Sequence, residues 1–222
     1  MFKTTFSISL LALTAVGWQS QNPRPVSILL KEERMILEHN VTLGEAVVRF
    51  EAESEEDLGR VQVNRPNGER LFALEAPNAT RGLSGFKIEL QEGSLESILS
   101  TYSEGAYDIR ARAASGRTAL GRAVLSLDLP PAPRLIYPYE GAEAVSTSRL
   151  IVYWRPERWV TGYRIQMEQG ENDGLVIQLP AGRSSLQIPD GFLAPDTETQ
   201  LEIAAIGPNG NRTVVEVRFT TR

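Results

Sequence analysis

The chain has 222 residues, 41% hydrophobic and 23% charged, a globular rather than disordered balance. Its 28 acidic and 23 basic side chains give a formal charge of −5, which argues against general nucleic-acid binding, because that needs a basic surface to displace counterions. There is no cysteine and one histidine, so disulfide scaffolding and a zinc site built on His and Cys are excluded, and folding must rest on core packing.

Residues 1–17 carry Lys3, an apolar run from Phe6 to Val16 and the small-residue triplet Ala15-Val16-Gly17, the pattern of a secretory signal peptide. The run is shorter than the roughly 20 apolar residues that cross a bilayer. No cysteine follows it to take a lipid, and no later segment predicts a stable membrane anchor. The expected location is secreted or periplasmic. The lack of cysteine favours a bacterial envelope over an animal ectodomain, so the sequons at Asn40, Asn78 and Asn211 are read as accidental. Residues 18–30, with Pro23 and Pro25, form a lead-in.

From there the pattern is all-β: short alternating runs separated by turn signals. Val47 to Phe50, Arg60 to Val63 and Arg70 to Leu74 are predicted strands. Asn67-Gly68 is expected to supply the positive φ angles of a tight hairpin between the last two. Phe86, Ile88 and Leu90 share one face of a further strand. Leu95, Ile98, Leu99 and Tyr102 instead fall at i, i+3, i+4 and i+7, the stripe of a short helix with Ser94 as N-cap and Gly105 beyond its end. This helix is expected to plug one end of the first sandwich. Tyr107, Ile109, Ala111 and Ala113 return to period two, as do Ala123, Leu125 and Leu127 after the Ser115-Gly116 turn, completing an immunoglobulin-like sandwich over 31–129.

Prolines 130, 131 and 133 make residues 130–133 a stiff, proline-rich linker that limits the angles between two domains. In 134–222, predicted strands run through Leu135–Tyr137, Leu150–Trp154, Tyr163–Met167, Leu175–Leu179, Leu186–Ile188, Leu201–Ala205 and Val215–Phe219, with a turn at Gly170–Gly174. Seven strands in about 90 residues suit a β-sandwich, with Trp154 assigned to its core.

Several segments here resemble a fibronectin type III domain: Leu150-Ile151-Val152-Tyr153-Trp154, Thr161 to Ile165, Phe192 to Thr197, and Val217 to Thr221. In that family the tryptophan lies between the sheets and a Leu-x-Pro-x-Thr-x-Tyr segment leads into a late strand. Thr199 stands where the tyrosine would, so the resemblance implies that another contact holds that crossing. Ser103 to Tyr107, the Leu127-to-Pro133 linker, Tyr137-Pro138 and Asn209 to Thr213 extend the likeness to exported bacterial fibronectin type III domain-containing proteins of unknown function, in which an immunoglobulin-like domain precedes the fibronectin type III domain. That resemblance implies export and two tandem immunoglobulin-like β-sandwiches with one short helix in the first; it implies no activity or ligand.

The catalytic motifs fare poorly. His39 has no Gly-x-Ser-x-Gly elbow to serve, and Ser84-Gly85-Phe86-Lys87 matches Ser-x-x-Lys only by count while entering a predicted strand. No P-loop or dinucleotide fingerprint is present. No catalytic, cofactor or metal residues are assigned, and no cofactor is expected.

Three surface features point to partners. Glu51, Glu53, Glu55, Glu56 and Asp57 form an acidic stretch read as a solvated loop, with weak calcium binding as the alternative. Arg110 and Arg112 alternate with inward residues, and Arg122 is placed on the neighbouring strand, with Arg117 between them. Such a stripe suits anionic glycan or lipid head groups, or is an ordinary charged face. Trp159, in a loop and placed near the outward Tyr153, is expected to pack over the sandwich end, with an exposed platform for a sugar or protein as the alternative. The leading functional expectation is a noncatalytic interaction or structural module that binds a protein partner. A carbohydrate-recognition accessory on a surface glycan comes second, and a hydrolase using unpaired carboxylates third.

Overall fold

The computed structural model describes residues 28, 30–76, 82–113, 115–170 and 174–222. Residues 1–17, expected to be a signal peptide, most of the lead-in expected over 18–30, the Asn78 sequon and residues 171–173 of the expected turn lie outside the described residues. The described chain is almost wholly β with one short helix.

Strand β1 (Leu30–Asn40) pairs with β2 (Glu45–Asn64), a single strand of 20 residues where two strands and an acidic loop were expected. The first half of β2 also pairs with β4 (Leu83–Ser94). The second half pairs with β3 (Arg70–Glu75) and β5 (Gly105–Ala113), and β5 with β6 (Thr118–Leu125). The pairing with β4 is irregular between Glu53 and Leu58, and that with β5 between Leu58 and Arg60. There β2 bends at its irregularities and exchanges its neighbours, β1 and β4 giving way to β5 and β3. The side chains record the turn: Ala46, Val48, Phe50 and Ala52 enter the core at even positions, and Val61 and Val63 at odd ones. The acidic stretch is therefore the corner of a strand.

The β2–β3 hairpin has Gly68 alone in the left-handed region, at φ 88°, with Gly68 N donating to Arg65 O and Arg65 N to Glu69 O. This is a three-residue loop starting at Pro66, with a shift at Val63/Asn64, in which Gly68 takes the expected positive φ and Asn67 does not. Helix α1 (Leu95–Thr101) begins as expected, with Ser94 Oγ accepting from Ser97 N. Ile98 and Tyr102 are buried, whereas Leu99 is exposed because so short a helix covers the core with a narrower stripe than four residues.

The second half contains β7 (Arg134–Tyr137), β8 (Ala142–Val145), β9 (Ile151–Arg155), β10 (Gly162–Gln169), β11 (Leu175–Pro180), β12 (Ser185–Gln187), β13 (Glu198–Ile206) and β14 (Arg212–Thr221). Strands β12-β9-β7 form one sheet and β11-β10-β13-β14 the facing one, with β8 added parallel to β14. Trp154 fills the space between them at 1% exposure, its ring 5.5 Å from that of Tyr163. The buried residues of the two halves form two separate hydrophobic clusters.

The halves are joined by more than the linker. Strand β1 lies parallel to β14 through Glu38/Arg212, His39/Thr213 and Asn40/Val214, so one sheet runs through both. The linker backbone is held as well: Thr213 Oγ1 donates to Pro130 O at 2.6 Å, and Asn211 Nδ2 to Ser126 O and Asp128 O at 2.8 Å each.

The crossing that lacks a tyrosine is held by Gln169. This buried amide donates to Ala194 O (3.0 Å) and Thr199 Oγ1 (2.9 Å) and accepts from Ala194 N (2.6 Å). Thr221 Oγ1 adds bonds to Ala194 O and Thr197 O. Thr199 thus serves as an acceptor in a polar knot.

Candidate functional site

Pro156 follows Arg155 directly and cannot donate to a neighbouring strand, so β9 stops there. The loop to β10 is tied at both feet: Glu157 N donates to Tyr163 Oη at 2.7 Å, and Thr161 N to Ile206 O at 2.8 Å. Between the feet, Trp159 stands 83% exposed, the most exposed large hydrophobic residue described. It does not pack over the sandwich end; the pinned feet hold the loop crest away from the core. Its φ is 64°, a left-handed conformation that a bulky side chain rarely adopts.

Trp159 borders a groove of about 500 Å³ whose other walls are Ser126, Asp128, Leu129, Pro130, Pro131, Gly207, Pro208 and Asn209. One wall is the linker and the other the β13–β14 turn, closed by Gly207 N donating to Asn211 O. Asn209 fixes the two together, its Nδ2 donating to Asp128 O at 2.9 Å. The groove is therefore preformed, with an apolar floor and an aromatic edge.

The other expected contact residues are elsewhere. Tyr153 is 43% exposed, opposite Ser185 and Tyr137, and does not line the groove. Arg110 and Arg112 face outward on β5 opposite Leu120 and Thr118, and Arg122 on β6 bonds Asp108 at 3.1 Å. The stripe exists, with Leu120 (71% exposed) and Val124 (62%) beside it. Arg117 is not part of it, since it pairs with Glu56 across the strand corner.

At that corner Glu51 meets Lys87 at 3.2 Å and Arg34 at 3.7 Å, and Glu55 meets Lys31 at 2.6 Å. The acids neutralise cations of neighbouring strands. Among the described residues no group of three or more His, Asp or Glu is placed to hold a metal.

Sequence reasoning missed a second polar site. Where β1 meets β14, Glu38, 8% exposed, lies 2.6 Å from Arg49, 3.1 Å from Arg212 and 3.6 Å from Arg164. Burial alone would raise the Glu38 carboxyl, but the contact with Arg49 and the three guanidinium charges together hold it below its ordinary range. Nearby Glu202 is pushed upward, chiefly by burial and by Glu216, against the opposing pull of Arg164. Glu38, Glu45, Arg49, Arg164 and Glu202 line a cavity of about 300 Å³. Two carboxyls shifted apart can mark an acid and a base. Here both Glu38 oxygens are occupied by guanidinium groups, which suits a clamp rather than a proton acceptor. The only sequence signal was a lone acid after Met35-Ile36-Leu37 and a lone base between Val48 and Phe50.

No protein-family model and no curated protein matches the chain. Among solved structures, a segment of two fibronectin type III domains from chicken tenascin aligns with 88% of this chain and 98% of its own, at 12% identity and a TM-score of 0.32. The fibronectin(III)-like modules of Clostridium thermocellum CbhA align with 88% of this chain and 94% of theirs, at 12% identity and a TM-score of 0.36. The 47-kilodalton lipoprotein Tp47 of Treponema pallidum aligns over 90% of this chain and 52% of its own, at 10% identity and a TM-score of 0.43.

Proposed function

We propose that this chain is a noncatalytic interaction module, secreted or periplasmic, that captures a protein partner at Trp159. It comprises two tandem sandwiches, 31–129 and 134–222, about the 130–133 linker. The observation that carries the reading is the 83% exposed indole on a left-handed backbone. Strain of this kind persists only where the surroundings impose it, and exposed tryptophans are favoured as binding anchors. Chemical crosslinking in envelope extract, with the tagged chain and its Trp159→Ala variant side by side, tests it. A discrete protein crosslinked by the first and missing from the second supports the reading, and identical crosslinking patterns overturn it.

A carbohydrate-recognition role is the second reading, favoured by the flat indole beside Ser126 and Asp128. It requires saturable binding on a glycan array that disappears in Trp159→Ala.

A further inference from the structure

We propose that the Trp159 groove receives an acidic segment of the partner protein, with an apolar side chain on the groove floor and carboxylates on Arg134, Arg155 and Arg158. The proposal rests on Trp159 being the contact residue and specifies what it contacts. Strands β7 and β9 are antiparallel with Arg134 and Arg155 as direct partners, while the neighbouring pair, Leu135 and Trp154, turns inward. Both arginines are exposed, and among the described residues neither has an ion pair. Like charges directly opposed across strands repel, and an anion bridging them removes the repulsion. Arg155 ends β9, Arg158 and Trp159 follow in the loop, and β7 starts just after the linker residues that wall the groove. Three guanidinium groups and the indole therefore stand at one end of the second half.

The guanidinium fork fits carboxylate in a bidentate manner. Besides the polar Ser126, Asp128 and Asn209, the groove is lined by Leu129, Pro130, Pro131 and Pro208, an apolar stretch with no side-chain hydrogen-bond donor of its own. A hydroxyl-rich sugar ring would leave polar groups unpaired on it, whereas a leucine, phenylalanine or proline would not. This favours an acidic peptide over an acidic glycan, although both present carboxylates. Asp128 is the one acid in the groove wall, and with a chain charge of −5 the local cations would orient an acidic partner at this end.

The test is selection of a phage-displayed random dodecapeptide library on the full chain, followed by fluorescence anisotropy with the best synthetic peptide. The expected winners combine Asp or Glu with Leu, Phe or Pro, and lose affinity by about tenfold or more in Trp159→Ala and in Arg134→Glu/Arg155→Glu, both checked for unchanged melting. Absence of enrichment, or binding that survives the arginine exchange, overturns the proposal. Neutral winners lost in Trp159→Ala leave the contact residue standing and remove the acidic class. Acidic winners indifferent to Trp159→Ala remove both. Trp159-dependent binding of polygalacturonate with no peptide enriched would assign the groove to an acidic glycan instead.

Discussion

Asn211 Oδ1 accepts a hydrogen bond from Leu37 N at 2.9 Å, across 174 positions of sequence. The same amide donates to Ser126 O and Asp128 O, so one fully buried side chain ties together β1, the end of the first half and the start of β14.

Asn211→Ala leaves a buried N–H and two carbonyls without this partner, at about 1–3 kcal/mol for each group that water does not reach. A loss of about 2–4 kcal/mol is expected in urea unfolding. The parent should unfold in a single transition, and the variant in two as the halves uncouple.

The Glu38 clamp predicts opposed pH dependences. With its folded value depressed, Glu38 contributes stability that is present above its unfolded value and lost as pH falls through the folded one. Glu202 is raised, so its contribution is present below its unfolded value and lost as pH rises through the folded one. Melting curves between about pH 3 and about pH 7 should therefore show Glu38→Gln flattening the acid limb and Glu202→Gln the upper one. At neutral pH Glu38→Gln is expected to cost about 3 kcal/mol, since it strands buried guanidinium charge, while Glu202→Gln is neutral or stabilising.

Gln169→Ala removes the knot at the crossing, where Ala194 and Thr199 both depend on the amide. About 2–3 kcal/mol should be lost, and hydrogen exchange at Ala194 should accelerate more than at Ile165 in the middle of β10.

Trp154 and Trp159 should answer oppositely. Trp154→Ala empties a buried site and should cost about 3–5 kcal/mol. Trp159→Asn buries nothing less and places at φ 64° a residue that tolerates it, so stability should hold or rise by up to about 1 kcal/mol. Thermal melts of both variants check this.

The strand through Leu150, Val152 and Trp154 was legible because it buries one face only. Strand β1 was not, since Met35, Ile36 and Leu37 are all buried and show no alternation between two partner strands. Nor was β8, whose four residues carry too short a pattern. The acidic corner looked like a loop because its charges are matched by Lys31, Lys87 and Arg117, far away in sequence. Trp159 was picked out by type, whereas its exposure follows from the hydrogen bonds of Glu157 and Thr161, which no local pattern announces. The roles of Glu38 and Asn211 had no local pattern to announce them, since their partners are 11 to 174 positions away.

The parallel contact of β1 with β14 also governs how the molecule would bear load. Tension drawing the Leu30 end of β1 away from the Thr221 end of β14 would slide the two strands lengthwise. The rungs at Glu38/Arg212, His39/Thr213 and Asn40/Val214 would then resist together instead of parting one by one. A tether built this way yields abruptly and transmits force unchanged until it does.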